Sequence, residues 1–172
     1  MTHAMRALLA AAAGVCLSSV PAAAQGAPAH GHHGAATRDT SFAGVQARGK
    51  SAMGVDQYTS THHFDALPDG GRIELQRDVD DSAGVAQIRR HLHEIARAFA
   101  SGDFSTPAFV HMRNVPGAAV MAAKRNAIAY TVHELPRGGE LRMVTADREA
   151  RRAIHEFMAF QRRDHHAGGA GR

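Results

Sequence analysis

The sequence predicts an α+β domain: a four-stranded antiparallel sheet with two helices on one face, built from a tandem ββα repeat. Three observations carry this expectation. Alternating apolar and polar residues flank Leu67-Pro68-Asp69-Gly70-Gly71 and again flank Leu135-Pro136-Arg137-Gly138-Gly139, so each stretch reads as a hairpin about a glycine-containing turn. Each hairpin is followed by a segment with apolar residues at helical spacing. The two turns lie at an offset of 68, and Gly49 and Met53 match Gly117 and Met121 at that same offset. Six of the 30 positions from 49 to 78 are thereby identical to their counterparts. A second block, Arg89-Arg90-His91-Leu92-His93-Glu94-Ile95, matches Arg151-Arg152-Ala153-Ile154-His155-Glu156-Phe157 at an offset of 62.

In chain order, residues 1–24 read as a secretory leader. Arg6 gives the positive start, Ala7 to Leu17 an apolar stretch too short to span a bilayer, and Ala22-Ala23-Ala24 a small-residue cleavage site. Residues 25–50 are rich in Gly and Ala, contain His30, His32 and His33, and read as a disordered tether with little to bury. The domain proper is expected over 51–166, with repeats at about 53–100 and 121–164. Its first strands are Tyr58 to Phe64 and Arg72 to Arg77. The following helix carries Ile88, Leu92, Ile95 and Phe99 on one face, with Ser82 as N-cap and Gly102 as its stop. A linker from Ser101 to Asn126 holds an apolar stretch, Ala108 to Met112, read as a strand, then a Val-Pro-Gly turn and one helical segment up to Arg125. Ile128 to Glu134 and Glu140 to Thr145 form the second hairpin. A helix capped by Asp147 follows, with Ile154, Phe157, Met158 and Gln161 continuing its pattern. Asp164-His165-His166 and the tail 167–172 are expected to fray. Two half-units are each too small to hold a core, so they are expected to share one.

Composition narrows the function classes. The chain has 172 residues, 44% hydrophobic, 21% charged and 5% aromatic, which is a globular composition. A net charge of +4, spread rather than striped, and the absence of Trp argue against a nucleic-acid surface. The Arg89-Arg90, Arg151-Arg152 and Arg162-Arg163 pairs read as solvated helix faces. The one cysteine, Cys16, leaves with the leader, so any metal would rely on His, carboxylate or Met. The leader implies a periplasmic or secreted protein with no stable membrane insertion once the leader is removed.

The motifs Met53-Gly54-Val55-Asp56-Gln57, Thr61-His62-His63-Phe64, Asp69-Gly70-Gly71 and Ile88-Arg89-Arg90-His91-Leu92 resemble a family of small exported bacterial proteins. Gly102-Asp103-Phe104-Ser105, Pro116-Gly117 and Phe160-Gln161 with Asp164-His165 look like the same family, and the resemblance covers roughly residues 48 to 166. Some members carry the name aspartate carbamoyltransferase. The chain is too short for that enzyme's two-domain body and has no Ser-Thr-Arg-Thr phosphate loop, and a leader does not suit cytoplasmic chemistry. The resemblance implies family membership and no mechanism.

Thirteen histidines are the feature most in need of a reason. Strand parity places Phe64, Val132, Ile73, Leu75, Leu141 and Met143 toward the helices, with His62 beside them near Tyr58, and turns His63 and His133 to the open face. If their strands are neighbours, His63 and His133 converge, and Asp65 shares their face. His62 reads first as a satisfied core histidine, and His111 as either a packed residue or a ligand from the loop side. His93 and His155 read as exposed helix residues, and Met53 and Met121 as core fillers, although thioether with imidazole suits Cu(I). The metal expectation is therefore His63, His133, Asp65, His62 and His111 holding copper in preference to zinc, for buffering or chaperoning. A second reading is a metal-free binding module that uses the open face or an inter-repeat pocket. An apolar open face would favour a periplasmic partner or a homodimer. A third reading, a small acid–base enzyme, needs a buried His–carboxylate pair in a concave site. No nucleophile elbow, P-loop or dinucleotide fingerprint is present.

Overall fold

The computed structural model describes residues 39–167, all within one compact unit. The predicted leader with its cut after Ala24, the histidines at 30, 32 and 33, and the tail from 168 lie outside the described residues. The elements run α1 (Phe42–Met53), a 3-10 turn (Gln57–Thr59), β1 (Ser60–Leu67), β2 (Gly70–Arg77) and α2 (Ser82–Ser101). They continue with α3 (Ser105–His111), α4 (Ala118–Ala123), a second 3-10 turn (Arg125–Ala127), β3 (Ala129–Leu135), β4 (Gly138–Val144) and α5 (Arg148–Asp164). The class is α+β, with a four-stranded antiparallel sheet.

The sheet order is β1-β2-β4-β3, so the two hairpins join through their second strands. The offset of 68 carries the β1–β2 register onto the β3–β4 register: His62↔Leu75 becomes Tyr130↔Met143, and Phe64↔Ile73 becomes Val132↔Leu141. It also maps the β2–β4 seam onto itself about Ile73↔Leu141. The order of elements thus fits two ββα passes.

Each helix packs chiefly on the hairpin it did not come from. Helix α2, which follows β2, lies on β4 and β3, whereas α5, which follows β4, lies on β1 and β2. Side chains reinforce the crossing. Arg89 of α2 donates to the carbonyls of Leu135 and Gly138 at the second turn. Arg151 and His155 of α5 donate to the carbonyls of Pro68 and Leu67 at the first. Arg89, Arg151 and His155 are therefore anchors and not solvated face residues; His93 stays exposed. The repeated Gly-Gly pairs serve the same packing. A Cβ on Gly71 would fall 2.6 Å from Ile154 of α5, and one on Gly139 would fall 2.9 Å from Leu92 of α2.

The core between sheet and helices holds Phe64, Ile73, Leu75, Leu141 and Met143 with Ile88, Leu92, Phe99, Ile154 and Phe157, all buried. Val132 is only partly buried against it. Met53 and Met121 are buried core fillers.

The boundaries differ from expectation at several points. The strands run up to the turns, leaving two-residue connections at Pro68-Asp69 and Pro136-Arg137. Asp81, not Ser82, caps α2 by accepting from the Gly84 amide; Gly102 ends it in left-handed geometry. Asp147 caps α5. The apolar stretch after Ala108 is helix α3, not a strand. The expected tether to residue 50 is cut short by α1, which Ser41 caps and which packs on α3 through a buried face including Val45 and Met53. Composition missed α1 because its helix is held by tertiary burial, not by a strong apolar stripe of its own.

Candidate functional site

The open face of the sheet is charged. One row runs His63, Glu74, Glu140, His133 across the four strands, and the next runs Asp65, Arg72, Arg142, Thr131. His63 and His133 share a row but sit on the two edge strands. Three strand spacings, about 14 Å, separate them. The expected convergence fails because the hairpins join through β2 and β4, which places both glutamates between the rings. Asp65 is also engaged: Arg72 donates to its Oδ2 from Nε at 3.0 Å and from Nη2 at 2.7 Å. Arg72 further pairs with Glu74 and Glu140 at 3.3 and 3.6 Å. An apolar docking face is equally absent from these two rows.

The histidines gather on the other side. Four of the nine described ones, His62, His91, His111 and His165, line one cavity of about 90 Å³ between the β1–β2 end of the sheet and helices α1, α2, α3 and α5. The apolar part of its wall includes Met53, Phe64, Leu75, Ile95, Val110 and Phe157. No Lys, Arg, Asp or Glu belongs to the lining. Sequence places these side chains by simple rules. His62 points inward by strand parity with Phe64. His91 lies three residues after Ile88 and four before Ile95, at the border of the α2 stripe. His165 continues the Phe157-Gln161 row of α5 by another four residues.

Hydrogen bonds fix several of these rings. Gln57 Nε2 donates to the His165 carbonyl at 2.7 Å, which turns Gln57 Oε1 toward His165 Nδ1 at 2.8 Å. His62 Nε2 lies 3.0 Å from Ser60 Oγ, whose own proton goes to the Asp56 carbonyl at 2.8 Å. His111 bonds Asp164 through Nδ1 and Gln161 Oε1 through Nε2, the latter at 2.8 Å. Arg113 pairs with the other oxygen of Asp164. The rings also touch edge to face or tilted: His111 and His165 centroids are 5.0 Å apart, and His62 and His165 are 6.1 Å apart.

Burial controls the charge of this cluster. Loss of water pushes the His62 ring down to about 4, with the neighbouring His91 adding to the effect. The same cause, with His111 and His62 adding to it, pushes His165 down to about 3. His91 is lowered by burial as well, against a smaller opposing pull from Glu94. Near neutral pH, His62 and His165 are uncharged imidazoles. They are too weakly basic to abstract a substrate proton at that pH.

Of the sequence-predicted site residues, the structure brings His62 and His111 to the cavity and leaves His63, His133 and Asp65 on the opposite face. His62 sits beside Phe64 and His165, not beside Tyr58, whose ring is 69% exposed. His111 lies on α3, is 1% exposed and is paired with Asp164. That pair is the buried His–carboxylate arrangement an acid–base enzyme would need. Both its ring nitrogens are already engaged, which leaves none to serve a substrate. Sequence reasoning missed His91 and His165. His165 does not fray: it is buried and held by Gln57, while His166 stacks on Phe42 at 4.0 Å. The signal was present as the i, i+4, i+8 row Phe157, Gln161, His165. Among the described residues, no three His, Cys, Asp or Glu side chains are grouped so that they could hold one ion.

No family model, curated protein or solved structure matches the chain.

Proposed function

We propose that this protein is a small-ligand-binding module whose site is the cavity lined by His62, His91, His111 and His165. One observation carries the reading: a concave, mostly apolar chamber lined by no Lys, Arg, Asp or Glu but with several polar groups on its wall. Structural needs alone do not call for four imidazoles around one void. The charge, apolar run and small residues of the first 24 positions support an exported protein, periplasmic or secreted.

The test is a fragment screen on the full chain by ligand-detected NMR, compared with Thr106→Phe, which places a ring at the cavity wall. Binding by the parent and its loss in the folded variant are expected. Fragments that bind both proteins equally would end the reading.

A second reading, a copper or zinc site, draws on a different observation. Met53 shares the cavity wall with the imidazoles, and neutral imidazole with thioether is a donor set for Cu(I). It requires the rings to turn from their present partners. Titration with Cu(I) and Zn(II) in the parent and in a His62→Ala, His165→Ala double variant separates the readings. Stoichiometric binding lost in the folded double variant would favour the metal.

A further inference from the structure

The cavity has more chemical definition than its lining alone gives, because the tautomers of two rings are set by their partners. Gln57 uses its Nε2 on the His165 carbonyl, so its Oε1 faces His165 Nδ1. A carbonyl oxygen only accepts, so the proton sits on Nδ1 and Nε2 of His165 carries a lone pair. Ser60 spends its hydroxyl proton on the Asp56 carbonyl, so toward His62 it accepts. The proton of His62 therefore sits on Nε2, and Nδ1 carries the lone pair.

Neither lone pair bonds a protein group among the described residues. Neither atom is sealed off: the buried side-chain atoms left without partners there belong to Gln46 and Tyr130. The open space beside His62 and His165 is the cavity. The two rings thus offer acceptors to a chamber with apolar walls, and Gln161 on the same wall carries an amide donor. Each acceptor is open to the cavity and unused by the protein, so an occupant that donates to it gains a direct hydrogen bond there.

Resting on the binding-module reading, we propose that His62 Nδ1 and His165 Nε2 are the recognition groups for a small, uncharged, planar ligand bearing a hydrogen-bond donor. Charged ligands are disfavoured because no Lys, Arg, Asp or Glu lines the wall and the His111 ring is already engaged by the Asp164 carboxylate. Planarity follows from the flat rings around the space, among them Phe64, which stacks on His165 at 5.3 Å. The small volume, about 90 Å³, suits a single small ring.

The test uses the full chain with pyrrole and furan, five-membered rings of like shape of which only pyrrole has an N–H. Pyrrole is expected to bind about five- to tenfold more tightly. Nitrogen-15 spectra of the histidines should show His62 protonated on Nε2 and His165 on Nδ1, with pyrrole moving the unprotonated nitrogen of each. In folded His165→Phe the preference for pyrrole over furan should shrink. The spectra of the parent protein test the assignment even if that variant does not fold. Equal affinity for the two rings would overturn the donor inference and leave the binding module standing. Failure of both to bind would count against the module itself as well. Zinc or Cu(I) moving these nitrogens while pyrrole does not would overturn the inference in favour of the metal.

Discussion

His62 and His165 are bases that the fold holds without their protons. Each is depressed from 6.5 by burial, His62 to about 4 and His165 to about 3. Above pH 6.5 neither state of the chain binds protons there, and these rings add no pH dependence. Below it, the unfolded chain takes up protons that the folded chain refuses, so stability falls as pH falls. The slope is about 1.4 kcal/mol per pH unit for each ring, and it persists until the folded value is reached. Urea titrations at pH 7 and pH 5 should therefore show the protein markedly weaker at pH 5. His165→Phe should reduce that difference, because one titrating group is gone. An unchanged pH dependence would mean that the ring is not buried as described. The folded rings keep their lone pairs until about pH 4 and 3, so at pH 5 ligand binding by the folded protein should persist although stability has fallen.

At the scale of elements, α1 and the central seam of the sheet make opposite predictions. Gln46 of α1 is 7% exposed, and both polar atoms of its amide lack partners. Burying them unpaired costs roughly 1–3 kcal/mol, so Gln46→Leu should raise stability by about 1 kcal/mol in denaturant unfolding. Beyond its chain neighbours and the backbone of its own helix, Gly49 of α1 has no atom within 4 Å of the position a Cβ would take, so Gly49→Ala should also stabilise, by about 0.5–1 kcal/mol. Gly138 is the contrary case. Its Cβ would fall 1.9 Å from the Leu75 carbonyl oxygen, a backbone atom that cannot swing aside. Gly138→Ala should force β2 and β4 apart and cost at least about 3 kcal/mol. A Gly138→Ala protein as stable as the parent would show that the seam is looser than drawn. The repeated Gly-Gly in the two turns thus has a packing reason: one glycine lets the central strands approach, the next lets a helix descend onto the sheet.

For the whole molecule the decisive feature is the exchange of helices between hairpins. Helix α2 covers mainly β3 and β4, while α5 covers β1 and β2, so neither ββα half covers its own hairpin. Residues 39–104 and 105–167 produced separately should each lack a cooperative unfolding transition by circular dichroism. Mixed, they should recover one, since only together do they bury the shared core. A half that folds alone would contradict the crossed packing. The cavity depends on the same arrangement. Its histidines come from β1, α2, α3 and the end of α5, segments up to about a hundred residues apart, and only the assembled core brings them together.

The hairpins, the two long helices, the Asp147 and Gly102 signals and the inward side of His62 were legible in the sequence, because alternation, helical spacing and turn chemistry are local properties of the chain. The offset of 68 even held the pairing register within each hairpin. What it did not hold was which strands become neighbours between hairpins, and that choice separated His63 from His133. Nor did it show that His91, His111 and His165 would meet His62 around one void, or that α1 would be a helix at all. Those outcomes are contacts between distant segments. They are decided by how the apolar face of two joined hairpins and two helices can be buried together, a balance of packing that no short stretch of residues contains.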